Sequence, residues 1–430
     1  MHAATNAQWG WNRVLAGGAL LGAGALLLML AGGAAADEQA GSTSVAPTTG
    51  RPIDTWKDVP LSKAAQRGIK WIVVNQNADG GWSQDGALHR GGNARKARRG
   101  SRGKTTSDVG NTSLAMLAIM ATGSRPNSGT FQGPLQRGAK FILADYEDHH
   151  GRRTLGVTGR TGTQLQGKIG RYADTFLATR VMLEIDGCMP TKAGNAKVRR
   201  ALLGMLEKIQ RHQDADGSWN GAQGWAPIHS TAYASQALFI AKERGFKVEP
   251  HVLAKVDRFT IRQLKEKARQ ARGTPAKPPT RRGGRPPVVT PSGGSESVDL
   301  GPVSVGGAGI LLYSISQGYE QLTRTPERRK KHAKELRQIE DKVTKPQVMN
   351  GFGSMGGEEY ISYVNLAIGM ARVGTRDAQR WVSKLNARME KTQNKDGSWS
   401  GHHCITGRTA VTGLAVLTLT AERQVPRTVR

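Results

Sequence analysis

Apolar positions along this chain fall into two alternating kinds of segment. In the first kind, bulky apolar residues occupy one helical face and polar residues the other. Ile69/Trp71/Ile72, Leu202/Leu206/Ile209 and Trp381/Leu385/Met389 mark three such segments. The second kind is apolar nearly all round, as in Leu114–Met120, and such a helix must be buried on every side. Amphipathic (outer) helices are expected at 62–76, 134–146, 196–213, 249–271, 326–343 and 376–393. Inner, apolar helices are expected after Asp108, from Arg171 to about Ile185, from His229, and at 304–316, 358–373 and 404–421. Six helical hairpins result. No hairpin can bury its inner helix alone, and closing six into a ring brings all the inner helices together. An open solenoid would need polar end caps, whereas 405–419 is apolar. The fold expected is all-α, an (α/α)6 toroid.

Between outer and inner helix one stretch occurs three times with unchanged spacing. Gln76-Asn77-Ala78-Asp79-Gly80-Gly81-Trp82, Gln213-Asp214-Ala215-Asp216-Gly217-Ser218-Trp219 and Gln393-Asn394-Lys395-Asp396-Gly397-Ser398-Trp399 all read Q-x-x-D-G-[GS]-W. The glutamines lie 137 and 180 residues apart, room for two and three units of about 60 residues. The Asp-Gly pair suits a tight reversal. A Gln amide can satisfy helix-end backbone groups, and a Trp can bury area while keeping its N–H bonded.

Composition changes the picture at the ends and loops. Lys and Arg number 62 against 33 acids, a net charge of +29, which attracts polyanions. Arg13 precedes an apolar run over 14–36 ending Ala34-Ala35-Ala36 before Asp37-Glu38. This reads as a signal peptide or N-terminal anchor over 1–36, with cleavage favoured by the small-residue site. A flexible linker over 37–61 follows, then the repeat domain over 62–421 with a Pro/Gly/Arg-rich disordered insertion at 272–298, and a tail over 422–430. Such a chain is exported, periplasmic or extracellular, so nucleic acid is not expected as a partner. The basic stretches at 90–104, 272–285 and 324–337 read as solvated surface, or as contacts to anionic envelope lipid or polysaccharide. Cys188 and Cys404 are expected as two separate thiols, since a bridge has demanding geometry.

The Q-x-x-D-G-[GS]-W stretches, with inner helices such as Thr112-Ser113-Leu114-Ala115-Met116, resemble the QW repeats of the terpenoid cyclase and protein prenyltransferase superfamily. The resemblance covers roughly 62–421. It implies the toroid, with a central cavity that holds isoprenoid chains in the family's enzymes. It also implies that Gln76, Gln213 and Gln393 cap the next helix while Trp82, Trp219 and Trp399 stack on it, a structural role. The D-x-D-D acid of squalene-type cyclases is absent. Prenyltransferase β subunits hold zinc with a D-x-C pair opening one inner helix and a His from another. His402-His403-Cys404 is the nearest match, with His402 where the family has Asp, and His229 resembles the third ligand. Imidazole and thiolate suit zinc; the plain alternative is that each is a cap or rim residue.

Independently of family, the inner helices begin at one rim. Asp108, Asp174, His229, Glu358, Glu359, His403 and Cys404 fall in or near their first turns. Acids are ordinary at helix N-termini, but this many histidines and a thiol exceed what capping needs. Asp108, Asp174, Glu358 and Glu359 are therefore the candidate catalytic carboxylates, and a carbohydrate-active enzyme would need two of them suitably spaced. His229, His402, His403 and Cys404 are the candidate metal ligands. Asp214-x-Asp216-Gly217 lacks the terminal acid of a calcium loop, and Glu147–His150 reads as a solvated charge cluster in a loop. The function expected is the binding of an apolar, isoprenoid-like ligand in the ring, with an envelope scaffold as the rival class.

Overall fold

The computed structural model describes residues 59–84, 106–219, 226–270, 305–351 and 355–425, all within the unit 48–430. The N-terminal segment, most of the linker, the basic stretch 90–104, the insertion 272–298 and the last five residues lie outside the described residues. Among the described residues every regular element is helical, and two isolated bridges replace any sheet. The chain is all-α. No helix searched is long and apolar enough to cross a membrane.

The helices are α1 (Lys63–Val74), α2 (Val109–Met120), α3 (Gln132–His149), α4 (Gln164–Ile169), α5 (Ala173–Ile185), α6 (Lys192–Arg211), α7 (Ile228–Glu243) and α8 (Pro250–Gln270). They continue as α9 (Val305–Leu322), α10 (Pro326–Lys331), α11 (Ala333–Val343), α12 (Pro346–Met349), α13 (Gly357–Val373), α14 (Arg376–Lys391) and α15 (Arg408–Leu419). Several outer helices start where the sequence supplies a cap. Ser62, Thr191, Thr325 and Thr375 each accept from the backbone N–H three residues on, satisfying one of the open donors of a first turn. Outer α14 buries Ala378, Val382, Leu385 and Met389, one stripe, whereas every residue of inner α2 is buried.

Packing follows that division. α2 packs on α5, α5 on α7, α7 on α9, α9 on α13, α13 on α15, and α15 back on α2. The order of inner neighbours therefore closes on itself. The outer helices lie against this circuit: α1 on α15 and α2, α3 on α2, α6 on α5, α8 on α9, α11 on α9 and α14 on α13.

The repeated heptapeptides make the same joint three times. The Gln76 side-chain amide donates to Pro134 O at 2.9 Å in the first turn of α3, and to its own loop at Gly80 O, 2.8 Å. Gln213 reaches Val252 O in α8 at 3.0 Å, and Gln393 reaches Ala64 O in α1 at 2.9 Å. The last joint connects residues near opposite ends of the repeat domain. Each Trp Nε1 donates back to the end of its own outer helix, at Ile72 O, Ile209 O and Met389 O, all 2.8 Å. Its backbone N–H is received by a Thr of the inner helix, Thr112, Thr231 or Thr412. The glycines after Asp have φ of 87°, 94° and 92°. A Cβ on Gly217 would stand 2.3 Å from Lys255 O, so only Gly lets the next outer helix approach. The Trp rings rest on that helix too: a Cβ on Gly68 would meet Trp399 at 2.8 Å, and one on Gly138 would meet Trp82 at 3.1 Å.

Several expectations need adjustment. The stretch expected as a Gly/Thr/Arg loop before the second inner helix contains α4, held by a capping box of Thr163 and Gln166. Glu147, Asp148 and His149 are the last turn of α3 rather than a loop. The fourth inner helix runs on to Leu322. The fifth outer helix breaks at His332, because α10 is cationic with nothing buried and burial begins at Leu336. The expected tail begins in a packed 3-10 turn, where Arg423 donates to Ala121 O at 2.9 Å. Both cysteines are free.

Candidate functional site

α13 opens with Gly356-Gly357-Glu358-Glu359. The two glycines leave room for a loop to lie directly on the helix start. A Cβ on Gly356 would fall 2.6 Å from His403 Cε1, and one on Gly357 2.4 Å from Ile405 Cβ. Two backbone bonds fasten the loop: His402 N–H to Met355 O at 2.9 Å and Gly357 N–H to Ile405 O at 3.0 Å. The loop stays outside α15, with Cys404 in a non-helical conformation and its following N–H groups held by side chains. Gln164 of α4 accepts from Thr406 N at 3.0 Å and Gly407 N at 3.1 Å, and Glu358 from Ile405 N at 3.3 Å. His402-His403-Cys404 was expected to open the sixth inner helix; it precedes that helix, which starts at Arg408.

Cys404 has φ of 53°, the one positive value on a non-glycine among the described residues. That conformation costs an L-residue roughly 1–2 kcal/mol. Strain of this kind persists where surroundings impose it. Here it accompanies a thiol that stands beside the Glu358 carboxylate. Ligand atoms of Glu358, His403 and Cys404 all lie within 4.8 Å of one another. Glu358 is fully buried, with Oε1 lacking any partner, while His403 and Cys404 are half-buried. The group is thus closed behind and open in front.

Glu359 supports the group from behind. Its Oε2 accepts from Gly356 N at 2.9 Å and its Oε1 from the Tyr313 hydroxyl at 3.0 Å. Its carboxylate also lies 3.6 Å from His403 Nε2, an arrangement that fixes an imidazole. Burial pushes the Glu358 and Glu359 carboxyls above the usual range, and the Cys404 thiol up to about 12, with the Glu358 carboxylate adding to the rise. Without a cation the Cys404 thiol therefore keeps its proton. A divalent cation reverses that preference, since a coordinated thiol ionises. Thiolate, imidazole and carboxylate are a donor set that zinc accepts, and three protein ligands leave a fourth position open. The unpartnered Glu358 oxygen fits a ligand role.

The other expected ligands are placed elsewhere. His402 is exposed and its ring is not part of the group. His229 is 0% exposed, with both ring nitrogens unpartnered. Its ring lies 4.8 Å from that of Tyr313, which stands between it and Glu359 by bonding the carboxylate itself. Burial holds its imidazole down at about 3, and it is neutral.

Asp108 and Asp174 form a separate centre between α2 and α5. Asp108 caps α2, accepting from Asn111 N at 2.8 Å and Asn111 Nδ2 at 2.9 Å. Asp174 Oδ2 accepts from Gln166 at 2.8 Å, and its Oδ1 has no partner. Both acids converge on Gly110, whose Cβ would meet Asp174 Oδ1 at 2.5 Å and Asp108 Oδ1 at 3.4 Å. Burial raises both carboxyls, and for Asp174 the Asp108 charge raises it further. Each negative charge here disfavours ionisation of the other carboxyl.

Sequence reasoning placed Glu358 on the rim as a candidate catalytic carboxylate, not among the named metal ligands, and missed Tyr313 and Gln164 as supports. The Gly-Gly pair before two glutamates was the available signal, since it marks a close approach of backbone. Comparison with protein-family models, with curated proteins and with solved structures found no match.

Proposed function

We propose that this chain is an exported (α/α)6 toroid of the terpenoid cyclase and protein prenyltransferase repeat class. In this reading it binds an apolar, isoprenoid-like ligand inside the ring, beneath a zinc site at the rim made by Glu358, His403 and Cys404. The closed order of inner-helix neighbours and the three equivalent joints support the toroid. The apolar 14–36 run with its small-residue end supports export. The observation that carries the functional reading is the convergence of the Glu358, His403 and Cys404 donor atoms within 4.8 Å, around a buried oxygen that nothing else satisfies. A bound zinc would supply a Lewis-acidic centre with one position open to a ligand's polar group.

Metal analysis of purified protein after zinc loading and desalting tests the site. One zinc per chain is expected in the wild type and none in Cys404→Ala or Glu358→Gln, while His402→Ala retains it. No stoichiometric zinc in the wild type would overturn the reading. Mass spectrometry of organic extracts should recover an apolar molecule that co-purifies with the native protein.

A further inference from the structure

The opposite ends of the inner helices carry a charge cluster, largely buried but exposed at Glu243. Glu184 pairs with Arg244 at 2.9 Å and Arg125 at 3.5 Å. Glu320 pairs with Arg324 and with Arg372 at 2.9 Å, and Arg324 also reaches Glu243 at 3.1 Å. These four arginines already outnumber their three acids. A fifth, Arg180 of α5, faces Glu184, Glu320, Arg324 and Arg244, and ion-pairs with none of them at 4.0 Å or less. Its one hydrogen bond is to Gln236 Oε1 at 3.2 Å, a neutral acceptor, and its Nε is buried without a partner. Desolvation lowers its tendency to carry charge, as expected of a guanidinium deep in protein. A buried cation with no direct ion pair is costly.

Arg180 is nevertheless not sealed. It keeps accessible surface although protein surrounds it. Each other inner helix has residues that do likewise on a smaller scale: Leu117, Tyr233, Leu311, Val364, Ile368 and Leu417 retain 6–9%. The Tyr233 hydroxyl has no partner. Gln236 bridges from Arg180 to Asn365 at 2.8 Å, joining α7 to α13 although α9 stands between them in the circuit. These groups therefore face the ring interior. Asn365 lies seven residues beyond Glu358, about 10 Å along the helix.

We propose that Arg180 is the anchor for the anionic head of an amphiphile, a carboxylate or phosphate carried on an apolar body that fills the space between Arg180 and the rim. The proposal rests on the reading that the ring interior holds a ligand, and is independent of the zinc. Leucine and isoleucine side chains from the surrounding helices meet the body. The anion meets the guanidinium donors that Gln236 leaves open and offsets the cationic excess of the cluster.

Isothermal titration of the purified protein with octanoate, octyl phosphate and octan-1-ol tests this. Both anions should bind the wild type at least tenfold more tightly than the alcohol. Arg180→Met should lose at least tenfold for the anions and nothing for the alcohol. Because the methionine relieves an unpaired buried cation, Arg180→Met should also unfold at a higher temperature than the ligand-free wild type. A preference between the two anions identifies the head group. Cys404→Ala should bind the anions like the wild type, so a failure of the zinc site leaves this result standing. The proposal is overturned if neither anion binds, if the alcohol binds equally well, or if Arg180→Met is destabilised and keeps anion affinity.

Discussion

Gln393→Ala cuts the joint that closes the circuit of helices, and its cost can be worked from the structure. The side chain donates to Ala64 O at 2.9 Å and to Gly397 O at 2.8 Å, and accepts from Arg67. The Arg67 contact is exposed and contributes little. The two amide bonds contribute about 0.5–1.5 kcal/mol each, so their loss costs about 1–3 kcal/mol. With roughly 300 ordered residues and about 2.1 cal/mol/K of unfolding entropy per residue, 2 kcal/mol corresponds to a fall of about 3 °C in melting temperature. Gln76→Ala removes the same two bonds from a joint between helices close in sequence. Calorimetry should therefore find similar losses for the two variants. Amide exchange should differ: α1 loses protection in Gln393→Ala, and α3 in Gln76→Ala. If Gln393→Ala melts with the wild type while Gln76→Ala melts lower, α1 is not held by the last hairpin, and the closed ring is refuted.

Two further outcomes follow from the site. Cys404→Gly relieves the left-handed backbone, so in the presence of a chelator it should stabilise the fold by about 1 kcal/mol in urea titration, while zinc content falls to zero. For Asp174 the sign runs opposite to that of a salt-bridged acid. Its folded carboxyl holds a proton more tightly than the unfolded one. Stability is therefore greatest at acid pH and declines as pH rises from the ordinary carboxylate value through the raised folded one. Asp174→Asn keeps a carbonyl for Gln166 and should remove this decline, measured as a flatter stability curve above the ordinary carboxylate range. An unchanged slope would show that burial does not raise the Asp174 carboxyl in the folded protein.

The sequence determined the succession of outer and inner helices and the turn of each repeated heptapeptide by itself. Alternating one-faced and all-round apolar segments are a local property, and burial of each kind has one consequence. The Q-x-x-D-G-[GS]-W geometry was legible because a turn needing positive φ at Gly80, Gly217 and Gly397 writes itself into residue type. The next-helix contacts of its Gln and Trp were legible only through resemblance, since Pro134, Val252 and Ala64 offer carbonyls, which carry no residue signature.

What tertiary structure alone decided is which of the rim residues meet. His402, His403 and Cys404 are adjacent in sequence, but loop 402–405 is pinned to Gly356 and Gly357, so two of the three face Glu358 and one faces solvent. His229 looked equivalent from its place at a helix start, yet a buried ring against Tyr313 separates it from the donors. Asp108 and Asp174 pair because Gly110 lets α2 and α5 come close. Arg180 carried no mark at all: a single arginine on an apolar helix becomes conspicuous only when the acids around it prove to be already taken. Periodicity fixes which face of a helix is buried. It does not fix which distant residue that face meets, because side-chain partners depend on the rotation and depth at which separate helices dock.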